Sequence, residues 1–256
     1  MMRRWRVPAL PLLTALGLAL HPPVARADAP ALTVTGTGPL AVFETGLGMR
    51  PDTWARIAPT LSRCLTLVTY DRYAGPPPGP DAPPILAATV AEALHAALRA
   101  RGLMPPYLLV GHSLGGLYVQ AFARAFPRDV AGLVLIDGAS PLEPPGVFVS
   151  RMPPRPGSRA AAEEDGVAPS SAAMRSGPPL PPVPLVVLAA TDHAMSGELE
   201  ALWQDVQRRT AALSPQGRLE VVQSGHFIQD DQPQAMIDAV LSVAQAAGAD
   251  VAACRR

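Results

Sequence analysis

The sequence predicts an α/β fold, a mostly parallel, doubly wound sheet of about six strands carrying one long insertion. Three observations carry that reading. Short apolar runs alternate with stretches of helical period, the runs are nearly continuous rather than polar on every second residue, and 48% of the 256 residues are apolar, enough for a sizeable core. Strands buried on both faces read as continuous apolar runs, and helices between them cover the two sides of a parallel sheet.

The first residues stand apart from that domain. Arg3, Arg4 and Arg6 precede an apolar run of fourteen residues, Val7 to Leu20, followed by His21-Pro22-Pro23 and the small-residue tripeptide Ala25-Arg26-Ala27. This is the pattern of a cleaved secretory signal, residues 1–27, and the run falls short of the roughly 20 residues that span a bilayer. No cysteine sits near the cleavage point, so no lipid or other stable membrane anchor is expected afterwards, and the destination is the periplasm or the exterior. Cleavage removes four of the 21 basic residues, all arginine, and leaves 17 against 21 acidic ones, a net charge near −4. Nucleic acid is then a poor partner, because backbone binding needs a positive surface. Cys64 and Cys254 would meet an oxidising compartment, where one disulfide between them is one outcome and two free thiols the other.

Residues 28–256 read as one domain. "ALTVTGTGP" leaves room for one short leading strand, and the core strands follow at Leu40–Glu44, Leu65–Tyr70, Tyr107–Val110, Leu133–Ile136, Leu185–Leu188 and Leu219–Val222. Helical period appears at Ile85–Arg101, where Leu86, Val90, Leu94 and Leu98 recur every four residues before Gly102, and again at Leu117–Phe126, Glu198–Leu213 and Gln234–Ala247. The stretch from Ala139 to Pro182 breaks the rhythm. It is rich in Pro and Gly and too long for an ordinary connection, so it is either a small lid over a site or a disordered insertion.

Gly111-His112-Ser113-Leu114-Gly115 is a G-x-S-x-G motif between a strand and a helix. A sharp strand-to-helix turn needs nearly side-chain-free positions 111 and 115, and it holds the serine hydroxyl out at the tip. Backbone N–H groups at the start of the helix face any charge developing on a bound carbonyl. Alone, the motif also suits a helix N-cap serine, so the partners decide. A serine hydroxyl needs a neutral imidazole to take its proton and an acid to orient that ring. Of the two histidines after Ser113, His226 lies between the last strand and the last helix, at the carboxyl edge where ligands gather. His193 reads as an exposed neighbour. For the acid, Asp192 lies three residues beyond the Leu185–Ala189 run, and Asp137, ending "GLVLID", is the alternative. Ser113, Asp192, His226 is the chain order of such a triad on this architecture. No H-x-x-x-H or H-E-x-x-H spacing suggests a metal, and no cofactor is expected.

At "FETGLGMRPDTW", "YDRYAG", "PPYLLVGHSLGGLYVQAFARAFP", "VAGLVLIDGAS", "VPLVVLAATD" and "GHFIQDDQP" the sequence resembles the α/β-hydrolase superfamily, in particular its bacterial lid-bearing esterase and aminopeptidase-like branch. The resemblance covers about Leu40 to Ala247. It implies the α/β-hydrolase fold, Ser113 as nucleophile, His226 as base, Asp192 as orienting acid, and the backbone N–H groups of Leu114 and Leu47 as the oxyanion hole. Thr45-Gly46 stands where many relatives carry His-Gly, and "YAGPPPGPDAPP" replaces a glycine-serine turn, which stiffens one wall of the site. An epoxide hydrolase or dehalogenase would need a carboxylate at position 113. The expectation is a secreted serine hydrolase acting on small-molecule carboxylic esters. An aminopeptidase or amidase, with Glu163, Glu164 and Asp165 available to an amine, and a non-catalytic binder are the alternatives.

Overall fold

The computed structural model describes residues 30–148 and 153–255, so the expected signal segment lies outside the described residues. Seven strands form one sheet: β1 (Leu32–Gly36), β2 (Leu40–Glu44), β3 (Thr66–Tyr70), β4 (Tyr107–His112), β5 (Val130–Ile136), β6 (Leu185–Ala190) and β7 (Gly217–Val222). Their order is β1-β3-β2-β4-β5-β6-β7, with β1 antiparallel to β3 and every other pair parallel. The seventh strand is β1, drawn from the leading "LTVTG", so the sheet has one strand more than the six core runs.

Side chains alternate across the sheet, and both faces are apolar because both are covered. Val42, Leu109, Leu133 and Val187 meet α2 (Ala87–Ala100) and α3 (Leu114–Ala125) on one face. Phe43, Val110, Val134 and Leu188 meet α1 (Ala58–Leu61) and, further along the chain, the helix Pro233–Ala246 on the other. The segment from 139 to 182 carries two helices, α4 (Arg159–Asp165) and α5 (Val167–Ser176). Ser158 caps α4 through its side chain, and Ser170 Oγ accepts the Ala87 N–H at the start of α2, which fastens α5 to the body. Further along the chain come α6 (Gly197–Ala211), packed on β6 and β7, α7 (Ile228–Asp231) and α8 (Pro233–Ala246), followed by a 3-10 turn at Ala252–Arg255. Cys64 and Cys254 form a disulfide with Cα atoms 5.5 Å apart, both cysteines buried. No helix among the described residues is long and apolar enough to cross a membrane.

The parallel arrangement sends β4, β5, β6 and β7 toward one edge. Ser113, Asp137, His193 and His226 all lie on the loops that leave that edge.

Candidate active site

Ser113 sits between the last residue of β4 and the first of α3, at φ 52° and ψ −125°, a conformation that L residues avoid. Three hydrogen bonds hold it there: its N–H donates to Ile136 O (3.1 Å), and its carbonyl accepts from Gly116 N (2.8 Å) and Ala139 N (2.8 Å). The flanking glycines are a steric necessity. A Cβ at Gly111 would stand 2.5 Å from Gly115 O, and one at Gly115 would stand 2.3 Å from Glu44 O. Among the described residues, three that are not glycine have positive φ, namely Ser113, Asp137 and Ala194, and all three belong to this edge.

His226 follows Gly225 on the turn between β7 and α7. Its Nδ1 lies 2.6 Å from Asp137 Oδ2, and its backbone carbonyl accepts from His112 Nε2 at 3.0 Å. Burial and the nearby His226 push His112 down to about 3, so that ring is a neutral donor that pins the His226 backbone. Ser113, Leu114, Leu47 and His226 line one cavity of about 830 Å³ with largely apolar walls, including Phe148 and Trp203.

The carboxylate that meets His226 is Asp137 rather than Asp192. Asp137 is the first residue after β5, and its N–H donates to Leu188 O at 2.8 Å, which draws its side chain under the tip of β6. Oδ1 accepts from Trp203 Nε1 (2.8 Å) and Ala190 N (3.1 Å), while Oδ2 faces both His226 Nδ1 and His193 Nε2 at 2.6 Å. Burial would raise this carboxyl, but the hydrogen bonds from His193 and His226 outweigh it and hold the group below the usual carboxylate range. Asp192 is exposed, and its Oδ1 accepts the N–H of Ala194 at 3.1 Å. The physical reason is strand length: β6 runs on to Ala190, and the Thr191 and Asp192 N–H groups donate to Ser224 O, so Asp192 is carried past the site.

His193 is also placed differently from its reading as an exposed neighbour. Its side chain is 9% exposed and bridges Asp137 to Glu200, with Nδ1 2.9 Å from Glu200 Oε1. Trp203 and Glu200 had no sequence signal beyond their places on the apolar and polar faces of a helix. Asp137, His193 and His226 bring their donor atoms within 4.8 Å of one another, but the facing nitrogens already engage Oδ2 at hydrogen-bond distance, which suits proton transfer.

A second buried cluster supports the loop after β2. Arg72 donates to the carbonyls of Thr45 and Gly46, both at 2.9 Å, to Glu44, and to Glu163 of α4 at 3.1 Å. Burial would lower this guanidinium, yet Glu44 and Glu163 beside it raise it further. Because a peptide unit is planar and trans, fixing the Gly46 carbonyl on Arg72 turns the Leu47 N–H the opposite way. Tyr73 adds a second tie, its hydroxyl accepting the Gly48 N–H at 2.6 Å and donating to Glu163 Oε2 at 2.5 Å. Glu163 is therefore committed to structure, Glu164 lines the cavity, and Asp165 is exposed.

Residues 39–159 match the family model for the alpha/beta hydrolase fold. The uncharacterised protein YqjL of Bacillus subtilis is 27% identical over 212 residues, 81% of this chain and 84% of that protein. RutD of Cronobacter turicensis, provisionally named a carbamate hydrolase, is 35% identical over 101 residues, 39% of this chain and 38% of that protein. Among solved structures, a thermophilic esterase from Thermogutta terrifontis superposes with a TM-score of 0.66 at 23% identity, covering 85% of this chain and 93% of that one.

Proposed function

The chain has the α/β-hydrolase fold, and from that premise we propose that it is a serine hydrolase cleaving carboxylic esters of apolar character through an acyl-enzyme. One observation carries the reading: the buried Asp137 carboxylate holds Nδ1 of His226 at 2.6 Å, and that ring shares a cavity with the strained Ser113. With Nδ1 held as the donor, Nε2 is the basic atom. Ser113 Oγ attacks the acyl carbon and its proton passes to His226 Nε2. The oxyanion is met by the N–H groups of Leu114, at the start of α3, and Leu47, aimed by Arg72. The carbon–oxygen bond to the leaving group breaks, the alcohol departs with the proton from His226, and water repeats the sequence to release the acid. The apolar cavity walls favour an apolar acyl or alcohol portion, and α4 and α5 act as the lid. Arg3, Arg4 and Arg6 before an apolar run, together with a buried disulfide, support export to an oxidising compartment.

Amide or carbamate cleavage is the second reading, favoured by Glu143 and Glu164 in the cavity wall and by the similarity to RutD. Burial pushes the Glu143 carboxyl up to about 7, so it can receive a hydrogen bond or give one near neutral pH. Fluorophosphonate labelling tests the common core: an adduct on Ser113 that disappears in Ser113→Ala is expected, and an adduct elsewhere would sink the assignment. Rates on p-nitrophenyl esters of increasing chain length, set against aminoacyl anilides and aryl carbamates, then rank the substrate classes. Tight ligand binding without turnover would favour the non-catalytic binder.

A further inference from the structure

An Asp–His pair is enough to activate a serine, yet here the carboxylate oxygen that holds His226 also holds a second histidine. His193 Nε2 lies 2.6 Å from Asp137 Oδ2, and its other ring nitrogen lies 2.9 Å and 3.0 Å from the two oxygens of Glu200. A carboxylate only accepts hydrogen bonds, so a ring with a carboxylate at each nitrogen must donate from both and is an imidazolium. Its centre stands 6.0 Å from that of His226. A fixed positive charge at that range opposes a second one, and the proton that His226 must shed to act as base is disfavoured by it.

We propose that His193 is a positioning residue which, as an imidazolium sharing Oδ2 of Asp137, keeps His226 unprotonated to lower pH than Asp137 alone would allow. The proposal rests on the assignment of His226 as base. The other groups around the pair are consistent with it. From the chain after β5 come Asp137 itself and Glu143; from α6 come Glu200, Gln204, which donates to Glu200 Oε1, and the uncharged Trp203, whose ring lies 5.4 Å from that of His193. From β4 comes the neutral His112, and on the same loop as His193 the Asp192 carboxylate is turned away to the Ala194 N–H. On the far side of His226, Asp231 of α7 accepts the Gly225 N–H at 3.0 Å, and Arg175 of α5 lines the same cavity with its guanidinium on Pro141 O; His193 is the cation that shares Asp137 with His226. Burial would lower its pKa, but the hydrogen bond to Asp137 and the charges of Asp137 and Glu200 push it up to about 9.

The experiment has two arms. In the unmodified protein, nitrogen-resolved NMR of labelled histidine should show both His193 ring nitrogens protonated at pH 7; a neutral ring overturns the proposal without any substitution. In the second arm, the acidic limb of kcat/KM and of the fluorophosphonate inactivation rate is compared across variants. His193→Gln should move that limb upward by about one pH unit. A merely structural role would lower kcat and leave the limb in place, and that result, or a downward shift in His193→Gln, overturns the proposal. Loss of Ser113 labelling in the unmodified protein would instead sink the hydrolase reading, and the NMR arm would still report the state of the ring.

Discussion

Asp137 receives four donors on two oxygens. Asp137→Asn should therefore lower kcat by about 10⁴-fold, as expected when the base loses its orienting charge, whereas Asp192→Asn should change it less than about twofold. Steady-state kinetics on one p-nitrophenyl ester decides between them. Ser113 and His226 were legible because a glycine-framed serine and a histidine after the last strand have a mechanical reason to be where they are. The acid was not legible, since both candidates follow an apolar run, and the difference between one residue and three beyond it depends on where β6 ends. His193 also sets a pH dependence of stability. Its pKa is raised from 6.5 to about 9, so the stability from its ion pairs is present in full below about pH 6.5 and is lost as pH rises through about 9. Denaturation midpoints across that range should fall in the native chain and show less of this slope in His193→Gln.

Four of the helices could be placed from the sequence because each buries one apolar stripe against a covered sheet face. α2 was expected at Ile85–Arg101 and runs Ala87–Ala100; α8 was expected at Gln234–Ala247 and runs Pro233–Ala246. α4 and α5 were not placed, and the physical reason is that their order comes from elsewhere. Their own periodicity is weak, but Glu163 is drawn inward by Arg72 and Tyr73, and Ser170 by the start of α2. The same contacts tie this segment to the loop of Thr45–Gly48, so the roof of the cavity and the Leu47 N–H are held by one cluster. Tyr73→Phe removes the acceptor of the Gly48 N–H and the donor to Glu163 while leaving the ring. It should lower kcat by about tenfold with KM little changed, and leave the thermal midpoint within a few degrees. An unchanged kcat would separate the Leu47 loop from this cluster.

At the scale of the whole molecule, the disulfide joins positions 190 residues apart and anchors the C-terminal tail beside α1. Cross-linking so long a loop restricts the unfolded chain more than the folded one, so Cys254→Ser should cost about 2–4 kcal/mol and lower the thermal midpoint by roughly 5–12 °C. Calorimetry with and without reductant checks this, and the substituted chain should be indifferent to reductant. Neither cysteine's surroundings revealed the pairing in advance, because the tail folds back onto Cys64 only through tertiary packing. The backbone at Ser113 has a further meaning at this scale. A serine at φ 52° and ψ −125° works against the fold that contains it, by about 1–3 kcal/mol, and glycine adopts the same angles freely. Ser113→Gly should then melt higher than the native chain while hydrolysing nothing. Drift toward thermal robustness and retention of turnover pull this one codon in opposite directions.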